Sequence, residues 1–366
     1  LTDSDSSFRH AAIEAITGAK DDGRAVWQAL GRAGLLADLF GPGIGPGPRL
    51  DRIEDLLTVL DARFGVGTVL SVCVQVASAL PILRAAADTG PAAKAYEAAL
   101  RGDAMLALAV TDTEAAGSDL LAMGTTAALT ADSIQLDGGK SWITNARTAD
   151  YALVLARHRP QQHFTSFLWA LVPTDAPGVS TERAGSRFAG AGLGQLRLDG
   201  VRLGRDHLLG APGRGLPTFA RHVATERIAG AFWARAMCRR VLADTHGWLD
   251  SRTVGGRPLW HNDAVRERFA RCLVELRRID AMCAQHVAIA HTPDALLSSM
   301  LLKASTAHSL DLVLTECVAL RGADAYQDGG LADLRADTAM FGIAGGATGA
   351  MLAGIAEHAI ALVGSP

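Results

Sequence analysis

Apolar residues recur at spacings of three and four from Phe8 to about Arg101, in Val26, Leu30 and Leu35 and again in Ile53, Leu56, Leu57 and Leu60, a period that predicts helices. The run Gly41-Pro42-Gly43-Ile44-Gly45-Pro46-Gly47-Pro48 interrupts them. No strand precedes it and no Lys-Ser/Thr pair follows, so it predicts a turn and not a phosphate loop. Phe64 to Leu83 contains no charge and is long enough by count to span a bilayer. It carries Thr68, Ser71, Gln75 and Ser78, and arginines close both ends, so a buried helix of a helical domain is expected.

Between about Asp103 and Gly213 the texture changes to short runs: Ser133 to Leu136 before Asp137-Gly138, Tyr151 to Ala156, Phe164 to Val172, and Gln195 to Leu198 before Asp199-Gly200. These read as antiparallel strands joined by Asp-Gly turns. Gly190-Ala191-Gly192-Leu193-Gly194 lies among them without the βαβ unit that a dinucleotide fingerprint needs. After Gly215 helical periods return. Val265, Phe269, Cys272, Leu276, Ile279, Cys283 and Val287 form one stripe, a second apolar helix runs from Leu296 to about Leu320, and four long segments of this kind imply a bundle. The expected fold is α+β and multidomain. It has an N-terminal all-α domain (1–103), a middle antiparallel β domain (104–213) and a C-terminal four-helix bundle (214–366).

At 366 residues and 49% hydrophobic, the chain is long and apolar enough for more than one domain. The formal charge is −3, from 35 basic against 38 acidic residues, which gives no field to recruit nucleic acid or an anionic membrane. Cys73, Cys238, Cys272, Cys283 and Cys317 form no C-x-x-C pair and are odd in number, against a disulfide framework or a thiolate metal site. Leu1-Thr2-Asp3-Ser4-Asp5 lacks the order of a secretion signal. A reducing cytoplasm is the expected compartment.

Candidate chemistry concentrates in two segments. Thr113-Glu114-Ala115-Ala116-Gly117-Ser118-Asp119 follows the apolar run Met105 to Val110 with hydroxyls, a glycine and backbone amides, the composition of a strand end turning over an anionic group. Gly139-Lys140-Ser141-Trp142-Ile143-Thr144-Asn145 sets an indole and a hydroxyl two residues apart, and so on one face of a strand. The pair resembles the acyl-CoA dehydrogenase family, whose pattern reads T-E-x-x-A-G-S-D and then G-x-K-x-W-I-T-N. The resemblance runs over essentially the whole chain and implies FAD as cofactor and α,β-dehydrogenation of an acyl thioester. Gly117, Ser118, Trp142 and Thr144 match flavin-contacting positions, with Ser118 also near the pantetheine. Thr111 and Thr113 are candidate donors to the pyrimidine end of the ring. The family proline is missing between Glu114 and Ala115, which leaves the register of these two threonines open.

That chemistry needs a carboxylate for the α-proton. In most of the family it lies in a late Y-E-G-T segment, matched here by Ala336 to Thr348 with Gly345 at the glutamate position, which supplies an N–H and no acid. The resemblance gives that N–H a role as donor to the thioester carbonyl. A subset, the isovaleryl-CoA and long-chain dehydrogenases, carries the base in an E-R pair on the first long C-terminal helix, matched by Glu226-Arg227. Phe219, Val223, Glu226, Gly230, Trp233 and Met237 follow by fours and threes, so the carboxylate belongs to an apolar stripe, where desolvation suits it to proton abstraction. Arg227 matches an arginine lining the pantetheine channel.

Arg252 matches the arginine that reaches the cofactor diphosphate of a neighbouring subunit, so a homodimer or homotetramer is implied. Departures bear on that end of the site: Gly255-Gly256 replaces Phe-Gly, Asp263 replaces a glutamine, and the last flavin turn is Gly322-Ala323-Asp324-Ala325. They motivate an alternative, a base- or FAD-deficient partner subunit in a heteromer. A further alternative is a flavin-dependent monooxygenase on the same fold. Coenzyme A or an acyl carrier protein carries the acyl group under the first reading, with an electron-transfer flavoprotein or oxygen as electron acceptor.

Overall fold

The computed structural model describes residues 3–40, 47–117, 119–290 and 292–364, so most of the predicted Gly41–Pro48 loop, and Ser118, lie outside the described residues. Two compact units emerge, Leu1–Val59 with Arg63–Glu226, and Leu60–Ala62 with Arg227–Pro366.

The chain opens with helices α1 (Asp3–Ala15), α2 (Gly23–Arg32), α3 (Leu35–Phe40), α4 (Leu50–Asp61), α5 (Val66–Val74), α6 (Leu80–Arg84) and α7 (Gly90–Leu100). The predicted apolar positions Val26, Leu30, Ile53, Leu56 and Leu57 are fully buried. Between α5 and α6 the backbone opens into a π-turn, Gln75–Ala79. Pro81 brings no N–H to the ladder, and the Leu80 N–H reaches back to the Gln75 carbonyl. The Val66–Arg84 segment is the one helix among the described residues long and apolar enough to cross a bilayer, and 83% of its apolar window is buried.

The sheet follows: β1 (Leu106–Ala109), β2 (Thr126–Leu129), β3 (Ser133–Ile143), β4 (Tyr151–Arg157), β5 (Phe167–Pro173), β6 (Val179–Arg183), β7 (Gly194–Gly204) and β8 (Leu208–Leu209). Its order is β6-β7-β3-β2-β4-β5-β8, with β1 against β4. β1 and β4 run parallel, so the sheet is mixed rather than antiparallel throughout. β4 and β5 are buried along almost their whole length, which explains their unbroken apolar runs.

The two Asp-Gly pairs are not turns. Asp137-Gly138 lies inside β3 and Asp199-Gly200 inside β7, and there Asp199 and Gly200 stand opposite Asp137 alone. This is a β-bulge, with Gly200 at φ 58 and its N–H donating to Asp137 Oδ1 at 2.7 Å.

The 37-residue helix α8 (Gly215–Ser251) starts in the first unit and continues in the second. The second unit adds a hairpin, β9 (Thr253–Val254) and β10 (Arg257–Pro258), then α9 (Asp263–Ile289), α10 (Ala295–Arg321), α11 (Leu331–Thr338), α12 (Thr348–Ala356) and α13 (Ala359–Val363). Gly255 and Gly256, at φ 59 and 77, form the two-residue hairpin turn that demands positive φ at both positions. Three helices of this bundle are long, and the remaining helical residues divide into short pieces. Phe269, Cys272, Ile279 and Cys283 of the predicted α9 stripe are buried, whereas Val287 is exposed. Glu275 and His286 occupy buried places instead, each bonded to a serine of the neighbouring helix α10.

Candidate active site

The Trp142 segment is built by strand pairing that runs past β1. Thr113 N–H donates to the Gly139 carbonyl at 3.1 Å and Ser141 N–H to the Thr111 carbonyl at 3.0 Å. The Thr113 hydroxyl also donates to the Gly139 carbonyl. Further along, Ser141 and Trp142 stand opposite Gln195 alone, a second bulge in β3. Trp142 sits there at φ 58, a conformation rarely taken by a bulky residue, and the residue is 63% exposed.

The expectation that Trp142 and Thr144 share one strand face therefore fails. β3 ends at Ile143, the bulge breaks the alternation, and Thr144 lies half-buried in the following turn. Asn145 holds that turn. Fully buried at φ 67, it accepts from the Ser71 hydroxyl at 2.6 Å and donates to the carbonyls of Ser71 and Leu106. Gly117 folds back over Thr111, where a Cβ would meet Cγ2 at 3.3 Å.

Beneath this surface lies a buried ion pair. Lys140 Nζ donates to the Val110 carbonyl at 3.1 Å and to Asp112 Oδ2 at 3.3 Å. Burial lowers the ammonium to about 8 against the pull of Asp112. Burial also works against the Asp112 carboxylate, but hydrogen bonds from Thr125 and the charge of Lys140 outweigh it and hold the group below the usual carboxylate range.

Glu226 enters along α8, whose start is fixed by β5. Trp169 Nε1 donates to the Gly215 carbonyl at 2.9 Å, and Gly213 N–H donates to the Phe167 carbonyl at 3.0 Å. A rise of 1.5 Å per residue places Glu226 about 16 Å further on. Its side chain is half-buried, and Oε2 accepts from the Ser78 hydroxyl at 2.8 Å. The buried Cys73 thiol is pushed up to about 12 by burial and, after it, by the Glu226 charge.

One turn before Glu226, His222 is buried, and burial with the nearby Arg221 lowers it from 6.5 to about 4. A folded-state value below the unfolded one gives stability that is fully present above pH 6.5 and lost as pH falls toward 4. Urea unfolding at pH 7 and pH 4.5 should therefore show a loss of ~2 kcal/mol from this residue, absent in His222→Gln.

In the second unit the loop through Gly345 (φ 69) and Gly346 (φ 107) is gripped by Arg227. The guanidinium is buried, donates from Nε to the Gly345 carbonyl at 3.3 Å and from Nη1 to Ser299 Oγ at 2.9 Å. Arg252 is 60% exposed and lies 3.8 Å from Asp324, which also accepts from Trp248 Nε1. Ala323 lies beside Asp324 in a single 3₁₀ segment. Asp263 is fully exposed at the start of α9, where a carboxylate complements the helix dipole.

Ser78 was not singled out as a site residue by the sequence pattern. A signal was present: Thr68, Ser71, Gln75 and Ser78 follow by three, four and three within an apolar run. Ser71 reaches Asn145, Gln75 Oε1 accepts from the Leu106 N–H at 2.8 Å, and Ser78 reaches Glu226.

The family descriptions "Acyl-CoA dehydrogenase, middle domain" and "Acyl-CoA dehydrogenase, C-terminal domain" match residues 107–201 and 213–360. A probable acyl-CoA dehydrogenase, FadE10 of Mycobacterium tuberculosis, is 27% identical over 218 residues, 58% of this chain. The chain spans only 34% of that relative's length. The FAD complex of PigA superposes with a TM-score of 0.88 at 18% identity, covering 100% of this chain and 99% of that one. The prolyl acyl carrier protein oxidase AnaB superposes at 0.85 and 20% identity, covering 98% and 100%. Both likenesses establish the fold, which in PigA holds FAD.

Proposed function

The chain belongs to the acyl-CoA dehydrogenase superfamily, with an FAD-binding fold, and from that membership we propose that it dehydrogenates an acyl thioester at Cα and Cβ, with Glu226 as the base. The observation that carries this reading is a half-buried carboxylate that accepts from the Ser78 hydroxyl, on the helix where the family's alternative base position falls. Glu226 takes the α-proton on a carboxylate oxygen. FAD, when bound, supplies the acceptor for the β-hydride. Gly345 keeps the role of N–H donor to the thioester carbonyl, with its loop gripped by Arg227.

An exposed tryptophan on a positive-φ bulge fits a flat ring that would cover it. Thr111, Thr113, Gly117, Trp142 and Thr144 hold that ring in this reading, Ser118 touches both cofactor and substrate, and Arg252 serves the diphosphate. Backbone strain of this kind collects at functional sites. Trp142→Gly should then separate binding from folding. Relief of ~1–2 kcal/mol of left-handed strain offsets glycine's entropy cost, so apoprotein stability stays within ~1 kcal/mol while flavin affinity falls at least ~5-fold. Thermal unfolding and flavin retention on gel filtration measure the two.

The likeness to AnaB supports an acyl carrier protein beside coenzyme A as carrier, with an electron-transfer flavoprotein or oxygen as final acceptor. The test is anaerobic mixing of the purified yellow protein with acyl-CoA and acyl-carrier thioesters. Loss of the oxidised-flavin absorbance with either is expected, and full colour with every thioester would overturn the reading. The proximity of Asp324 to Arg252 favours a second reading, a subunit that retains FAD only in a heteromer. Colourless protein when expressed alone would support that one.

A further inference from the structure

We propose that Ser78 is the positioning residue for the Glu226 carboxylate, delivered to it by the π-turn Gln75–Ala79. This rests on the reading of Glu226 as the base. In a continuous α-helix Ser78 would stand well off the direction of Cys73, since five residues overshoot one turn by more than a third. A π-turn takes more residues per turn than an α-helix, which reduces that overshoot. Ser78 and Cys73 both relate to one carboxylate: the hydroxyl bonds it at 2.8 Å, and the buried thiol feels its charge.

The turn is itself pinned. Gln75, its first residue, accepts from the Leu106 N–H at the start of β1, and Ser71, one α-turn earlier, is locked to Asn145 below the Trp142 bulge. Ser78 is only 2% exposed, so its hydroxyl has little access to water as an alternative partner. A single rigid rod thus ties the turn behind the indole to the orientation of Glu226. The Ser78 hydroxyl fixes Oε2 and stabilises the ionised form, which is the form that abstracts a proton.

The experiment follows Glu226 by carboxyl-¹³C NMR in protein labelled at glutamate, its signal identified by its loss in Glu226→Gln, and read in both apoprotein and holoenzyme. Ser78→Ala should move the titration of that signal to higher pH by about one unit. In anaerobic single-turnover reduction the acidic limb of the rate profile should move by the same amount. The maximal rate should fall about tenfold, with thioester affinity unchanged. If Ser78→Ala does not fold, Ser78→Cys keeps the volume with a weaker donor and should show the same direction of shift. Titration at the wild-type position in the folded variant overturns the positioning role. Wild-type flavin reduction by Glu226→Gln overturns the base reading itself, so the two failures are distinct.

Discussion

Glu226→Gln should cut thioester-driven flavin reduction by ~10²–10⁴-fold while leaving the protein yellow and folded. The amide matches the carboxylate in size, and its oxygen still accepts from Ser78, so packing along α8 survives. What disappears is proton affinity, since an amide cannot take the α-proton. The resemblance puts the base position of most of the family at Gly345, which has no side chain to substitute. Glu226→Asp tests the geometry separately. Withdrawing the acid by one methylene while keeping its charge should cost ~10²-fold, because misplacement of about an ångström has effects of that size. Rapid-mixing absorbance measurements under anaerobic conditions follow both variants. Reduction by Glu226→Gln at the wild-type rate would exclude this carboxylate as the base.

The environment of Glu226 was legible in part, because a helix repeats its faces every three or four residues: Val223, Trp233 and Met237 on that stripe are buried, whereas Phe219, Gly230 and Glu226 itself are half-buried. Its partner was not, because Ser78 lies 148 residues away and reaches it through a π-turn that periodicity does not encode. The sheet failed for a related reason. Period two holds only while pairing is regular, and the β3–β7 pairing carries two bulges, one in each strand. At one, Asp-Gly served the bulge and not a hairpin. At the other, Trp142 became the extra residue, so the two-residue spacing to Thr144 no longer meant a shared face. In α9 the apolar count missed Glu275 and His286, whose burial depends on serines from α10. The motifs thus picked out segments whose local conformation the period did not predict, and tertiary partners decided how their side chains are oriented.

Lys140→Met should destabilise the fold by ~3–5 kcal/mol, a large share of the ~5–15 kcal/mol that holds a typical domain. Lys140 is wholly buried, and methionine fills nearly the same volume, so little of the loss comes from packing. The loss comes from charge. Asp112 would keep its bonds from Thr125 N–H (3.0 Å), Thr125 Oγ1 (2.6 Å) and Glu114 N–H (3.1 Å), but no cation would face it in the interior. Removing the carboxylate as well, in Lys140→Met with Asp112→Asn, should recover part of the loss, because the uncompensated charge is gone while an acceptor for the Thr125 hydroxyl remains. Urea titration of wild type, both single variants and the double variant gives the coupling energy directly. A Lys140→Met loss below ~1 kcal/mol would mean that the pair is as weak as one exposed to solvent. The pair also sits between Thr111–Thr113 and Gly139–Ser141, the two lengths of backbone that lead into the Trp142 bulge. The same substitution should therefore loosen flavin retention before the fold is lost.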